Sequence, residues 1–237
     1  MICYIFIDIV IKVIFVLYQF YDIMVETLDG RTTKLKIAYI ILILLIHKMA
    51  MAVRKKSDIS TEDKIKYAVF AKEVREYKST LKQYIMTSRF NTQTLQENRE
   101  FVHKSKSVKC VYCCPDSIAK HIPVDIILFV LEMNNDTNQI AGVGMVRNHA
   151  HMYKYSVYST SSYNRYIYYG KTHISRENMS EEEERIMKVF DILCFTGNKH
   201  MKRGQGLKAF PIDVLYKCKN TLDLVGFIAQ MFKARMQ

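Results

Sequence analysis

A strand–turn–strand pattern at residues 125–147 constrains the fold of this chain more than any other segment. Asp125–Met133 has the sequence DIILFVLEM, an almost wholly apolar run of strand length, and Ile140–Arg147 has the sequence IAGVGMVR. Residues 134–138 between them, NNDTN, are of types that favour turns. Two apolar runs joined in this way predict a β-hairpin whose first strand is buried.

The segment before this hairpin favours helices, because no Gly or Pro occurs between Arg31 and Cys114. Apolar residues recur there in steps of three and four, which predicts one long helix from about residue 61 to about residue 86. Its apolar stripe consists of Tyr67, Phe70, Ala71, Val74, Tyr77, Leu81, Tyr84 and Ile85. Ser60 and Asp63 resemble a capping box at its start, and a second helix is predicted at 92–104. We expect the stripe to pack on the core, with phosphate contact by the basic face of this helix as the alternative.

The sequence after residue 108 alternates between short β-like runs and further helices. Besides the hairpin, strands are predicted at 108–113, 153–158 and 165–169, and a short helical turn at 115–121. Ser180 and Glu183 form a capping box at the start of one helix, and a last helix covers about residues 221–235. These elements predict an α+β fold, in which a small, twisted and mostly antiparallel β-sheet or barrel is flanked by helices. We expect residues 51–107 to form a basic helical region and residues 108–237 to form the α+β domain.

The first fifty residues form an apolar N-terminal extension that differs from the rest of the chain. Residues 1–24 are almost wholly apolar but contain Asp8 and Lys12, and a second apolar run at 37–46 is shorter than the ~20 residues that span a bilayer. One interpretation is a membrane anchor made by residues 1–46, with the Arg54-Lys55-Lys56 cluster on the cytoplasmic side. A second is an extension that is not part of the working protein, since Met49 and Met51 precede a polar, basic sequence typical of an N-terminus. Ordinary core strands are a third interpretation.

Residues 194–211, CFTGNKHMKRGQGLKAFP, which we call the Gly-rich segment, are the strongest indication of an anion-binding surface. They contain Gly197, Gly204 and Gly206, which allow the backbone to adopt conformations closed to other residues and to approach a ligand closely. They contain no acidic residue, and their four cations are Lys199, Lys202, Arg203 and Lys208. With a net charge of +12 on the whole chain, these residues predict contact with nucleic-acid phosphates or with another polyanion such as anionic lipid. A solvated surface loop is the alternative.

A second group of candidate binding residues lies at 153–171, where seven tyrosines from Tyr153 to Tyr169 have cations among or beside them. Aromatic rings beside cations suit the stacking of unpaired bases and the neutralisation of phosphates. The candidates are Tyr163, Arg165, Tyr166, Tyr168 and Lys171. Tyrosine is also a good strand former, so the alternative is that about half of these rings belong to the core.

Metal, cofactor and catalytic signatures are weak in this sequence. Cys110 and Cys113 have the spacing of half a zinc site and Cys114 adds a thiol, but a second half is missing, which favours buried structural thiols. Gly142 and Gly144 begin a dinucleotide-like pattern without its third glycine, since Arg147 stands there; a hairpin with close backbone approach explains them better. No P-loop, HExxH or GxSxG motif is present, so we expect no cofactor and assign no catalytic residue.

The order of elements from about residue 108 to residue 217 resembles that of the PUA-like superfamily, which includes the ASCH, EVE and YTH domains. The similarity lies in the first strand and turn, the hairpin LFVLEM…IAGVGMV, the strand RYIYYGK and the late Gly-rich segment. The resemblance implies a small twisted barrel that binds RNA, often through a modified base in an aromatic pocket. The YTH pocket relies on tryptophan, which this chain lacks, so the resemblance does not imply recognition of methyl-adenosine. The segments YNRYIYYGK and CFTGNKHMKRGQGLKAFP also look like those of uncharacterised proteins of large cytoplasmic DNA viruses, which implies the cytoplasm or nucleus of a host cell.

We therefore expect a non-enzymatic protein that binds RNA or single-stranded nucleic acid through the Gly-rich segment and the tyrosine-rich strands. One alternative is an enzyme that processes nucleic acid, with His149, His151, His200 or Glu132 as its acid–base groups. The other is a membrane-tethered interaction protein in which the N-terminal extension and nearby cations contact anionic lipid.

Overall fold

The computed structural model describes residues 61–197 and 200–236. The predictions about the N-terminal extension, about Ser60 and about Lys199 lie outside the described residues. Residues 66–219 and 223–237 belong to one compact unit, which contains all the strands. Within the described part of the chain, no helix is long and apolar enough to cross a membrane.

The described residues contain helices and strands in an α+β arrangement, which confirms the predicted fold class. The α-helices are α1 (Thr61–Thr80), α2 (Thr92–Lys104), α3 (Glu181–Phe195), α4 (Ile212–Cys218) and α5 (Leu224–Arg235). The strands are β1 (Gln83–Phe90), β2 (Cys110–Cys114), β3 (Ile127–Asn134), β4 (Gln139–Arg147), β5 (His151–Met152), β6 (Tyr166–Gly170), β7 (Thr172–Ser175) and β8 (Lys208–Ala209).

The described strands form two open sheets and not a closed barrel, so the sheet is confirmed and the alternative of a barrel is wrong. The larger sheet has the order β7-β4-β3-β1-β8, and the smaller one has the order β2-β6-β5. All pairs are antiparallel except β1 and β3, which run parallel. The predicted hairpin is confirmed as β3 and β4, and Asn138 in its turn has the left-handed φ of 57° that asparagine tolerates.

The long helix predicted to reach about residue 86 ends at Thr80 instead, and residues 83–90 form β1. The apolar residues at its end fit a helical stripe, but they also fit a strand between two neighbours, where both faces are buried. β1 pairs along its whole length with β3, and Tyr84, Ile85 and Met86 are all nearly inaccessible to solvent. Pairing with a distant strand therefore decided the conformation of this segment.

Residues 153–158 do not form the predicted strand, and residues 115–121 do not form the predicted helical turn. At residues 157 and 158, the side chain of Asn164 takes the place of a neighbouring strand. Its buried side chain accepts hydrogen bonds from Val157 N and Tyr158 N, both at 3.0 Å, and donates one to Tyr158 O at 2.7 Å. One amide thus satisfies backbone groups that a neighbouring strand would otherwise satisfy.

The two sheets meet where glycines allow their backbones to approach. A Cβ on Gly144 of β4 would overlap the hydroxyl of Tyr112 on β2, and a Cβ on Gly170 of β6 would overlap the carbonyl oxygen of Met145. The close approach inferred for the Gly142–Gly144 stretch is therefore present.

Both predicted C-terminal helices are confirmed, and the capping box of Ser180 and Glu183 begins α3.

Candidate nucleic-acid interface

The three glycines of the Gly-rich segment all have backbone conformations that favour glycine. Their φ angles are 75° at Gly197, 109° at Gly204 and 64° at Gly206. A side chain at any of these positions would be strained. The segment therefore follows a path on the protein surface that depends on its glycines.

The cations of this segment lie near the carboxyl ends of β1 and β3. Lys202 Nζ donates a hydrogen bond to Asn138 Oδ1 at 2.8 Å, and Lys202 O accepts one from Asn135 Nδ2 at 3.2 Å. Lys208 lies on β8 opposite Thr87 and is exposed, as is Arg203. The structure therefore brings Lys202, Arg203 and Lys208 to one end of the larger sheet.

Cys114 connects this segment to the tyrosine-rich strand. Its Sγ accepts a hydrogen bond from Leu207 N at 3.3 Å, and its backbone lies opposite Tyr166 of β6. The Arg165 guanidinium lies over the Tyr166 ring, 5.3 Å from its centroid. Through Cys114, Arg165 and Tyr166 are therefore connected to the Gly-rich segment, while Tyr166 also pairs with Met152 of β5, beside the groove residue His151.

The prediction that Tyr168 stacks on a base is wrong, because this residue is only 1% exposed and its ring is not available to a ligand. The side chain faces the core, where its hydroxyl accepts a hydrogen bond from Ile118 N at 3.1 Å. Tyr163 is half-buried, with its ring edge-on to Tyr158. Tyr163 and Tyr166, which are both half-buried, therefore remain as the predicted stacking residues.

A groove at the opposite end of the larger sheet forms a second candidate surface. Its volume is about 890 Å³, and its apolar floor includes Ile127, Phe129, Met145 and Phe232. Its polar lining includes Arg147, His149, His151, Tyr169, Lys171 and Lys233, with Asp125 as its one acidic residue. The groove is therefore apolar at its base and mainly basic at its rim.

Aromatic rings and a cation follow one another in what we call the aromatic ladder: His149, His151, Tyr169, Lys154 and Tyr155. The first three of these residues line the groove. The ring centroids of His149 and His151 are 5.0 Å apart, and those of His151 and Tyr169 are 4.8 Å apart. Lys154 Nζ lies 4.6 Å from the centroid of Tyr169 and donates a hydrogen bond of 2.8 Å to its hydroxyl. The two ring pairs are tilted, with interplanar angles of 51° and 36°, and their spacings are within the range of aromatic and cation–π contacts.

The contacts within the ladder shift the pKa values of two of its members, Lys154 and His151. The hydrogen bond to Tyr169 raises the pKa of Lys154. Partial burial lowers the pKa of His151, and the nearby charges of Lys154 and His149 lower it further. His149 is held at the exposed end of the ladder by Asp125, whose Oδ1 lies 3.1 Å from His149 Nδ1. Sequence reasoning named neither Lys154 nor Tyr169 as a site residue, although they lie in the segment of alternating tyrosines and cations.

The groove and the Gly-rich segment lie at opposite ends of β1. Gln83 at the start of this strand lines the groove, whereas Arg89 near its end donates a hydrogen bond to Met201 O. At the usual rise of a β-strand, these ends are roughly 20 Å apart. Lys171 therefore belongs to the groove, and the predicted binding residues do not form one patch.

Glu132, one of the acid–base candidates, lies in the core and apart from the three histidines named with it. Its carboxylate accepts a hydrogen bond of 2.8 Å from the Tyr112 hydroxyl and lies 3.3 Å from Arg99 Nη2. His173 Nε2 lies 3.1 Å from Glu132 Oε1 without the alignment of a hydrogen bond, so the contact between them is electrostatic. Burial alone raises the pKa of Glu132, but the contacts with His173, Arg99 and Tyr112 outweigh burial and hold it below its usual range. His149 and His151 do share the groove, while His200 Nδ1 accepts a bond from Lys202 N in the Gly-rich segment.

The thiols named as weak metal candidates are buried on β2. Cys110, Cys113 and Cys114 are free, and burial raises the pKa of Cys110 and of Cys114 to about 12. Among residues 61–197 and 200–236, no group of three or more His, Cys, Asp or Glu side chains is placed to hold a metal ion. Buried thiols of this kind are poor nucleophiles, because the thiolate is the reactive form.

Iodoacetamide at pH 8 is expected to leave Cys110, Cys113 and Cys114 unmodified in the folded protein and to label all three in guanidinium chloride. Peptide mapping by mass spectrometry after a short pulse measures the labelling of each thiol. Cys3, which lies outside the described residues, does not affect a residue-specific readout. Rapid labelling of the β2 thiols without denaturant would contradict their burial.

Comparison of the chain with protein-family models, with curated proteins and with solved structures found no match.

Proposed function

We propose that this protein is a non-enzymatic nucleic-acid-binding protein that holds RNA, or another single strand, with bases on the aromatic ladder and phosphates on the surrounding cations. The aromatic ladder is the observation that carries this proposal. Its rings and Lys154 are pre-ordered by their mutual contacts, and His149 at its end is more than half exposed, with 57% of its side chain accessible. A base that stacks on this end extends a series that is already in place.

The charge of the groove supports a polyanionic ligand. Arg147, Lys171 and Lys233 contribute positive charge to the lining, and its one acidic residue, Asp125, is engaged by His149. Cations along the path of a strand neutralise its phosphates and release counterions. Duplex binding needs only the cations, whereas exposed rings beside them favour unpaired bases.

We also propose that the fold is related to the PUA-like superfamily, although its two sheets are open and do not form the barrel that the resemblance implies. The strand, hairpin and aromatic strand on which the resemblance rests correspond to β2, β3–β4 and β6. An intracellular location, in a host cell if the protein is viral, is supported by the five cysteines among the described residues, which form no disulfide with one another. The membrane-tethered alternative depends on residues 1–46, which lie outside the described residues.

Replacing His149 by alanine is expected to weaken binding of a single-stranded RNA about tenfold, since base–aromatic stacking contributes about 1–3 kcal/mol per base. Replacing Lys171, an exposed cation of the groove lining, by methionine is expected to reduce the slope of log affinity against log salt by about 0.7. Fluorescence anisotropy with labelled single-stranded RNA, single-stranded DNA and duplex, from low to high salt, measures both effects.

His121→Ala and Lys106→Met are matched controls, because both residues are exposed and neither lines the groove. Equal losses in test and control variants, or an affinity no greater than that of a charge-matched unrelated protein, would contradict the proposal. Cleavage of the strand that disappears in His151→Gln would favour the enzymatic alternative instead.

A further inference from the structure

Arg89 lies beneath the Gly-rich segment as a half-buried cation without a carboxylate partner among the described residues. Its Nε donates a hydrogen bond of 2.5 Å to Met201 O, and its Nη1 is buried and has no hydrogen-bond partner. Burial lowers the pKa of this guanidinium. A buried cation with an unsatisfied donor is costly unless an anion or another acceptor completes it.

Lys208 brings a second cation to the same place. The position of a Cβ on Gly204 would lie 3.9 Å from Arg89 Cζ and 3.9 Å from Lys208 Cε. The two charged side chains therefore flank one point on the segment. At that point the backbone carries no side chain, and its φ of 109° is one that favours glycine. A side chain at this position would contact both cations, whereas glycine leaves the space between them free.

Asn135 adds a second unsatisfied atom under the same segment. Its Nδ2 donates to Lys202 O at 3.2 Å, whereas its buried Oδ1 has no hydrogen-bond partner. Asn135 N also donates a 2.8 Å bond to Phe90 O, which places this residue beside the end of β1 that carries Arg89. Of the three buried side-chain atoms without a partner in the described residues, Arg89 Nη1 and Asn135 Oδ1 thus lie under this segment. Asn135 Oδ1 is an acceptor, so it shows that the polar groups here are incompletely satisfied and is not itself a contact for an anion.

We infer that Arg89, Lys208 and the backbone at Gly204 form a phosphate-binding subsite. Arginine presents paired donors that match two oxygens of a phosphate, and Lys208 supplies a mobile point charge from the exposed side. The assignment of this phosphate to a bound nucleic acid rests on the proposed function, whereas the subsite itself does not. Because the groove lies roughly 20 Å away along β1, the subsite would take a phosphate several nucleotides from the stacked base.

Titration of the full-length protein with inorganic phosphate, followed by ¹⁵N NMR, tests the subsite directly. Saturable shifts are expected at the Gly204 and Gly206 amides and at the Arg89 guanidinium. Lys208→Met is expected to weaken phosphate binding about tenfold. Arg89→Lys keeps the charge but removes the fork, and it is expected to abolish the saturation. Lys106→Met, an exposed substitution with the same loss of charge, is expected to leave binding unchanged.

A second arm uses a single-stranded RNA and separates the subsite from the proposed function. If Lys208→Met weakens RNA binding and His149→Ala weakens it by the same factor with or without the Lys208 substitution, the occupant of the subsite is a phosphate of the RNA strand. If phosphate produces a saturable shift at the Gly204 amide but RNA does not bind, the subsite binds a free or small-molecule phosphate, and the proposed function is wrong. If RNA binds through the groove but phosphate produces no saturable shift at Gly204, the subsite is wrong and the proposed function stands.

Discussion

Replacing Glu132 by alanine is expected to destabilise the protein by about 3–5 kcal/mol, the usual cost of removing one partner from a buried ionic contact. The carboxylate is 2% exposed and is contacted by Tyr112, His173 and Arg99. These three residues belong to β2, β7 and α2, whereas Glu132 belongs to β3, so one side chain connects four elements. Its loss leaves a buried hydroxyl and two basic groups without their acceptor.

Urea denaturation at pH 7 measures this loss, with Glu177→Ala as a control because Glu177 is exposed. The pKa of Glu132 is lowered in the folded protein, so its contribution to stability is complete above the usual glutamate pKa and declines as the pH falls through the folded value. Glu132→Gln is therefore expected to flatten the acid limb of the stability profile, below about pH 4.5. A change of less than about 1 kcal/mol in Glu132→Ala would show that the cluster contributes little.

Replacing Gly170 by alanine is expected to cost about 3 kcal/mol, at the upper end of the range for overpacking, because the added methyl meets backbone that cannot rotate away. Its Cβ would overlap Met145 O and would come within 2.9 Å of Cys110 Sγ. Gly170 is also held from the other side, where its carbonyl accepts a 2.8 Å hydrogen bond from Lys109 N. Relief therefore requires the two sheets to separate at this point.

Thermal or urea unfolding of Gly170→Ala, Gly170→Ser and Gly170→Val is expected to show a loss that increases with side-chain volume. Lys171→Ala changes the next residue, which is exposed, and is expected to alter stability by less than about 0.5 kcal/mol. A nearly neutral Gly170→Ala would mean that the contact between the sheets is looser than its geometry indicates.

Local sequence signals predicted the elements that depend on neighbouring residues. The turn at 134–138 with its flanking apolar runs identified β3 and β4, and the Ser180–Glu183 pair identified the start of α3. The glycines of the Gly-rich segment were also identified as positions of special backbone conformation. In each case the interaction that determines the structure connects residues only a few positions apart.

Alternation along a strand shows the limit of such reasoning. Tyr168 and Tyr169 are adjacent and chemically identical, yet one is in the core and the other is in the aromatic ladder. Successive side chains point to opposite faces of a strand, so the register of β6 against β2 decides which ring is exposed. The sequence indicated a tyrosine-rich binding surface, but it could not assign the rings to its two faces.

The sequence by itself determined the α+β class, the central hairpin, the caps and the special glycines, because these depend on short-range propensity and hydrogen bonding. Only the tertiary structure decided that residues 83–90 form a strand, that the sheets stay open, and that Arg89 lies under the Gly-rich segment. It also placed the candidate binding residues at two ends of one sheet. These features follow from the pairing of β1 with β3 and β8, which are distant in the chain, and no local pattern encodes the choice among such long-range partners.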